Sequence, residues 1–230
     1  MNLEAYYAQL PREGGFVSTC RMALTGASLE GKRVLDVGCR RGKGVFKLSD
    51  RVGSAGHVTG VDWRPDFLDE AREGAECALE RSGRAESNME FRVAFPEDLR
   101  AANIEEGTYD VVYVNNGIGL FADPTQAVRE CARALKPDGL LILEAVVRES
   151  DEETKSDQVA RATEAARAAG DSVGAACTYS ETVGWIVDAG LGTPTVAESF
   201  PVGPDGRPIN QGEAAASPEF TVTVFHARKR

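Results

Sequence analysis

The chain is short of positive charge: 26 Lys and Arg face 36 Asp and Glu, a formal net charge of −10 over 230 residues. Gripping a phosphate backbone takes clustered Lys and Arg, so a nucleic-acid partner is excluded. The one basic run of note, Arg228-Lys229-Arg230, reads as a frayed, solvated tail. Histidine is scarcer still. His57 stands at the start of a predicted strand and His226 inside another, which leaves no imidazole placed as a general base. The five cysteines (Cys20, Cys39, Cys77, Cys131, Cys177) form no Cys-x-x-Cys pair, which speaks against a bound metal and for reduced thiols in the cytoplasm. No apolar run approaches the roughly 20 residues that span a bilayer, so no membrane partner is expected. The opening Met1-Asn2-Leu3-Glu4 lacks the basic and apolar regions of a signal peptide. With 42% apolar and 27% charged residues, what remains is an ordinary globular chain with enough length for one well-buried core.

Short apolar runs alternate with helical periodicity along the chain. Strands are expected at 33–37, 57–62, 89–94, 109–114 and 140–147, and helices at 44–52, 65–81 and 124–135, with a turn at Lys136-Pro137-Asp138-Gly139. Asp123-Pro124 supplies an N-cap and a first-turn proline, and Thr178 with Glu181 has the spacing of a capping box. The fold class that follows is α/β, Rossmann-like: an open, mostly parallel seven-stranded sheet with helices on both faces and a terminal antiparallel strand. One domain over 1–230 is expected. It comprises an N-terminal helical lid (1–30), a cofactor-binding core (31–147), inserted helices at the substrate mouth (148–192) and closing strands (193–230) with a mobile loop at 203–217.

The most telling stretch is Arg33-Val34-Leu35-Asp36-Val37-Gly38-Cys39-Arg40-Arg41-Gly42-Lys43-Gly44. An apolar run ends in an acid, turns on glycines and enters a helix, the way an open α/β sheet builds a nucleotide-sized pocket. The spacing Gly38-x-x-x-Gly42-x-Gly44 is not the Gly-x-Gly-x-x-Gly of a dinucleotide site. Asp36 inside the turn would oppose a pyrophosphate and suits a ligand that carries an ammonium group. Arg40 stands where a further close-approach glycine is expected. Its guanidinium pairs with a ligand carboxylate, or its bulk displaces the ligand; both readings are open.

Taken together, these segments resemble the class I S-adenosylmethionine-dependent methyltransferases. The resemblance runs from Lys32 to Val147. It rests on Val34-Leu35-Asp36-Val37-Gly38-Cys39, Val58-Thr59-Gly60-Val61-Asp62, Phe91-Arg92-Val93-Ala94-Phe95-Pro96-Glu97-Asp98-Leu99, Tyr109-Asp110-Val111-Val112 and Ala134-Leu135-Lys136-Pro137-Asp138-Gly139, in that order. It implies S-adenosyl-L-methionine as cofactor, bound by Asp36, Gly38, Arg40, Gly42, Gly44, Asp62, Trp63, Pro96, Glu97 and Asn115. Of these, Asp62 would accept hydrogen bonds from the ribose hydroxyls, Trp63 would pack on the adenine and Pro96-Glu97 would lie at its edge. No catalytic residue is implied; Glu144 and Asp171 are weak candidates for a base. Tyr6 and Tyr7 cap the cofactor from the N-terminal lid or pack against the body.

Within that class the chain is similar to arsenite methyltransferases. Gly42-Lys43-Gly44-Val45-Phe46-Lys47-Leu48-Ser49, Gly56-His57-Val58-Thr59-Gly60-Val61-Asp62, Asn115-Asn116-Gly117-Ile118-Gly119-Leu120, Tyr6-Tyr7 and Gly174-Ala175 carry the likeness. That family binds trivalent arsenic through cysteine thiolates. Asn116 fills one of those positions, and Asp171-Ser172-Val173 covers another, so the arsenic-binding cysteines are lacking. The expectation is a methyltransferase acting on a different small-molecule acceptor. A non-catalytic binding protein on the same fold is the alternative.

Overall fold

Both periodicities resolve into one twisted sheet wrapped by helices in the computed structural model, which describes residues 1–13, 28–148, 157–209 and 219–230. In chain order the elements are α1 (Leu3–Gln9), β1 (Arg33–Val37), α2 (Lys43–Val52), β2 (His57–Asp62), α3 (Pro65–Ser82), β3 (Met89–Val93), β4 (Tyr109–Asn115), α4 (Pro124–Ala134), β5 (Leu135–Arg148), α5 (Asp157–Ala168), β6 (Cys177–Thr178), α6 (Tyr179–Asp188), β7 (Thr195–Val202) and β8 (Phe220–Arg228). The strands run in the order β3-β2-β1-β4-β5-β8-β7. The pairs from β3 across to β5 are parallel, while β8 runs antiparallel to both β5 and β7. The expected seven strands are therefore present, and the two-residue β6 adds an eighth beside β5.

Alternation along each strand sorts the core into two layers. Leu35, Val37, Val112, Val114, Leu141 and Leu143 pack with α4 and α6, whereas Val34, Val58, Val111, Tyr113, Leu140 and Ile142 pack with α2 and α3. Burial on both faces is why these strands read as continuous apolar runs. The same parity puts Asp36 and Tyr113, which are partners in the β1–β4 register, on the α2 side. The chain leaves β1 for β2 on one flank, and β4 lies on the other. Their carboxyl ends frame the crevice in which open α/β sheets hold ligands.

Capping follows the sequence. Asp123 accepts a hydrogen bond from Gln126 N at 3.0 Å, and the Thr178–Glu181 capping box is complete. Two expectations need correction. The Lys136–Gly139 turn is absorbed into β5 as an irregularity, with Asp138 at φ 62° and a register shift opposite β4. The reason lies at the far end of the chain. Asp138 N donates to Lys229 O (3.1 Å) and Lys229 N to Gly139 O (2.9 Å), so the segment is paired rather than free to turn. Nor is the basic tail frayed. Lys229 Nζ donates to Leu135 O, the C-cap carbonyl of α4, at 2.8 Å, and Arg228 Nη1 to Asp138 O in β5 at 2.8 Å. Of the expected lid, residues 14–27 lie outside the described residues, as do 149–156 of the inserted region, 210–218 of the expected loop, and Cys20.

Candidate active site

The turn after β1 is built on main-chain bonds. Gly38 N and Cys39 N both donate to Val61 O, at 2.9 and 3.0 Å, which pins the turn to the end of β2. Gly38 and Gly42 have φ of 76° and 74°, a left-handed conformation that glycine adopts without Cβ strain. Gly44, in the first turn of α2, is required for space: a Cβ there would collide with Asp36 Oδ2. Asp36 is 2% exposed and no hydrogen bond from the described residues reaches its carboxyl. Burial, and then the charge of Asp62, pushes that carboxyl up to about 7.

Asp62, 1% exposed, ends β2 and holds the turn from the other side. Arg40 N donates to Oδ2 at 2.9 Å and Arg64 N to Oδ1 at 3.0 Å. Burial outweighs those two donors and raises the carboxyl to about 6. Each carboxylate oxygen keeps a second lone pair for a further donor. Arg40 sits at φ 48°, a glycine-like conformation held by a long side chain. The guanidinium lies 5.2 Å from the Phe67 ring, and Nη2 donates to Arg12 O at 3.4 Å. Arg12, Arg41 and Arg64 crowd the same ring, and Asp66, Glu70 and Glu13 pair with them.

α1 covers the carboxyl ends of β2, β3 and β4. Tyr7, 2% exposed, packs on Trp63 (ring centroids 4.5 Å) and stacks on Phe95 (5.3 Å). Its hydroxyl lies 2.8 and 3.0 Å from the two carboxylate oxygens of Glu97 and accepts from Ala122 N at 3.3 Å. Glu97 also accepts from Asp123 N at 3.0 Å. Burial raises the pKa of both groups, so the pair holds its proton firmly. Tyr6 donates to Leu120 O at 3.0 Å. The indole Nε1 of Trp63 is buried with no partner among the described residues.

At the end of β4, Asn115 accepts from Asn116 Nδ2 (3.1 Å), which also donates to Glu144 Oε1 (2.9 Å). Tyr113 donates to Glu144 Oε2 at 3.1 Å. Glu144 is thus a buried structural acceptor rather than a residue at the mouth, and Asp171 is spent on Val173 N at 3.0 Å. Beyond this end of the sheet lies a cavity of about 510 Å³ whose walls include Tyr6, Leu10, Ala122, Arg148, Arg167 and Cys177.

The ten residues expected to bind cofactor lie at or just after the carboxyl ends of β1 to β4, with Pro96 buried between Phe95 and Glu97. Tyr113, Asn116, Arg148 and Arg167 were not expected. A polar Tyr and Glu inside the apolar runs of β4 and β5 were the available signal for the first two. Nothing local marks the arginines.

Residues 28–190 match the family described as "Methyltransferase domain". This chain belongs to that family. An arsenite methyltransferase of Aquipseudomonas alcaligenes is 36% identical over 135 residues, 58% of this chain and 38% of the relative. A ubiquinone biosynthesis O-methyltransferase of Xanthomonas oryzae pv. oryzae is 37% identical over 122 residues, 52% of this chain and 45% of the relative. Both matches span less than half of the curated protein. Among solved structures, an arsenic(III) S-adenosylmethionine methyltransferase from Chlamydomonas reinhardtii superposes with a TM-score of 0.71 at 23% identity, over 99% of this chain and 73% of that one. This likeness bears on the fold. The methyltransferase domain thus carries the Rossmann-like sheet that its strand pattern implies.

Proposed function

We propose that the domain transfers a methyl group from S-adenosylmethionine to a small-molecule acceptor other than trivalent arsenic. One observation carries the reading: a buried acid, Asp36, has no hydrogen-bond partner among the described residues and lies behind a glycine turn that a second buried acid, Asp62, braces. That pocket fits the cofactor's charges. Asp36 would take the ammonium group of the methionine end, and Asp62 would take the ribose hydroxyls on its remaining lone pairs. Gly38, Gly42 and Gly44 would let the main chain approach. Trp63, Pro96 and Glu97 would flank the adenine, and Asn115 would stand at the transfer point. Arg40 would contribute chiefly its main-chain N–H, through Asp62.

The bound cofactor supplies an electrophilic methyl on a sulfonium. What the protein must add is alignment and exclusion of water, since an in-line displacement depends mainly on positioning. Tyr6 and Tyr7 do this from α1, which they fasten to Leu120 and Glu97.

Burial of Cys39, Cys131 and Cys177 disfavours arsenic at these three thiols. Cys177, 3% exposed, is pushed up to about 12 by burial, as is Cys131, and Cys39 is raised likewise. A soft metalloid is captured by thiolates, which these are not at neutral pH. No trio of His, Cys, Asp or Glu among the described residues is arranged to hold a metal ion.

Calorimetric titration with S-adenosylhomocysteine, followed by tritiated-methyl transfer to metabolite fractions and to arsenite, tests the proposal. Cofactor binding with label in an organic acceptor is the expected outcome. No heat at millimolar cofactor would leave a non-catalytic fold, and label in arsenite would refute the substrate assignment.

A further inference from the structure

We infer that the 510 Å³ cavity beside the transfer point is the acceptor site and that Arg148 and Arg167 select a carboxylate-bearing acceptor there. This rests on the methyltransferase reading for the word acceptor, but not for the prediction that the cavity binds an organic acid.

The cavity opens between α1, α5 and the ends of β5 and β6. Tyr6 and Ala122 form the wall shared with the cofactor crevice. Arg148 enters from the end of β5. Its guanidinium lies 5.7 Å from the Phe220 ring, Nη2 reaches Gly174 O at 3.5 Å, and the buried Nε has no partner among the described residues. A buried donor left without an acceptor is costly, and an incoming oxyanion would remove that cost. Arg167 enters from α5 and is steadied by one bond, Nε to Gly119 O at 2.9 Å. No carboxylate of the described residues lies within ion-pair distance of either guanidinium. Both charges act on the Cys177 thiol, after burial and the opposing charge of Glu181, which places all three groups around one space.

Two acids also line the cavity. Glu181 is committed to its capping box, accepting from Thr178 N (2.8 Å) and Thr178 Oγ1 (3.0 Å). Glu164 is exposed on the outer part of α5. The two arginines thus keep donors free to meet an acid, while the hydrogen-bonding capacity of Glu181 is taken up within its own helix cap. Guanidinium groups present forked N–H pairs that match carboxylate geometry. A cationic acceptor would be repelled by them. The remaining wall, with Leu10, Ala122, Val159 and Ala176, suits an apolar body attached to the acid.

Salicylate and 2-naphthoate, each beside its uncharged amide, serve as probes in calorimetry and saturation-transfer NMR on the full chain, with and without S-adenosylhomocysteine. The acids are expected to bind, and the amides to bind more weakly by about tenfold or more. Arg148→Met and Arg167→Met should each weaken the acids by about tenfold to a hundredfold, with S-adenosylhomocysteine affinity and melting temperature unchanged. Arg167→Lys should recover only part of the loss. Acids and amides binding alike, no acid binding at millimolar concentration, or a double variant that binds as wild type would each overturn the inference. Acid binding without any binding of S-adenosylhomocysteine would sustain it while refuting the proposed function.

Discussion

With the role proposed for Asp36, affinity for cofactor should depend on pH. In the free protein, burial and the neighbouring Asp62 hold its carboxyl at about 7, against an ordinary value of 3.8. S-adenosylhomocysteine brings an ammonium group that selects the ionised form. The free protein must give up a proton before binding, and each pH unit below 7 should weaken affinity by about tenfold, with a plateau above about pH 8. Stability of the free protein runs the other way. The folded value lies above the unfolded one, so this group's contribution is complete below about 3.8 and is lost as pH rises through about 7. Calorimetry from acid to mildly alkaline pH, with thermal melts on the same samples, reads both trends. Asp36→Asn should bind weakly with a flattened profile, leaving a smaller slope near 6 from Asp62. A wild-type affinity that is flat across this range, or that turns over at an ordinary carboxylate value, would refute the role given to Asp36.

Gly44→Ala should drive a methyl group into Asp36 Oδ2 and lower stability by about 1–3 kcal/mol, with loss of cofactor binding; unchanged binding in calorimetry would show that the turn has room to spare. Gly184→Ala is the contrasting case. It lies inside α6 with no atom near the new Cβ, and a gain of about 0.5–1 kcal/mol in denaturant unfolding is expected. Tyr7→Phe keeps the ring stack but takes a donor from buried Glu97, for an expected loss of about 1–3 kcal/mol; an unaltered unfolding midpoint would mean that Asp123 N alone satisfies the carboxylate.

Much of this architecture is local enough to be visible in the sequence. β1 and β2 begin and nearly end where their apolar runs do, because both faces of the sheet are covered and every position registers burial. The α4 and α6 caps are legible because the hydrogen bonds concerned span three residues. Asp36 and Asp62 are conspicuous as acids closing apolar strands. What escapes is set by distant partners. Lys136–Gly139 has the composition of a turn, and only its pairing with Lys229 makes it strand. Glu97 reads as the edge of a ligand site, but its carboxylate is engaged by Tyr7, 90 residues away. Arg148 and Arg167 are unremarkable on their own elements, and only the tertiary fold, which has β5 and α5 line the same space, sets them around one cavity.

The ring of arginines around Phe67 gives the cover of the crevice two unlike fastenings. On the Tyr7 side it is held by buried aromatic surface and a proton-bearing hydrogen bond, neither of which salt screens. On the Arg12 side it is held by exposed ion pairs to Asp66 and Glu70 and by Glu13 to Arg41. Pairs of that kind contribute about 0–1 kcal/mol each, and screening acts over about 8 Å at physiological ionic strength. Rising salt should therefore weaken the Arg12 side of this cover while leaving the Tyr7 side intact.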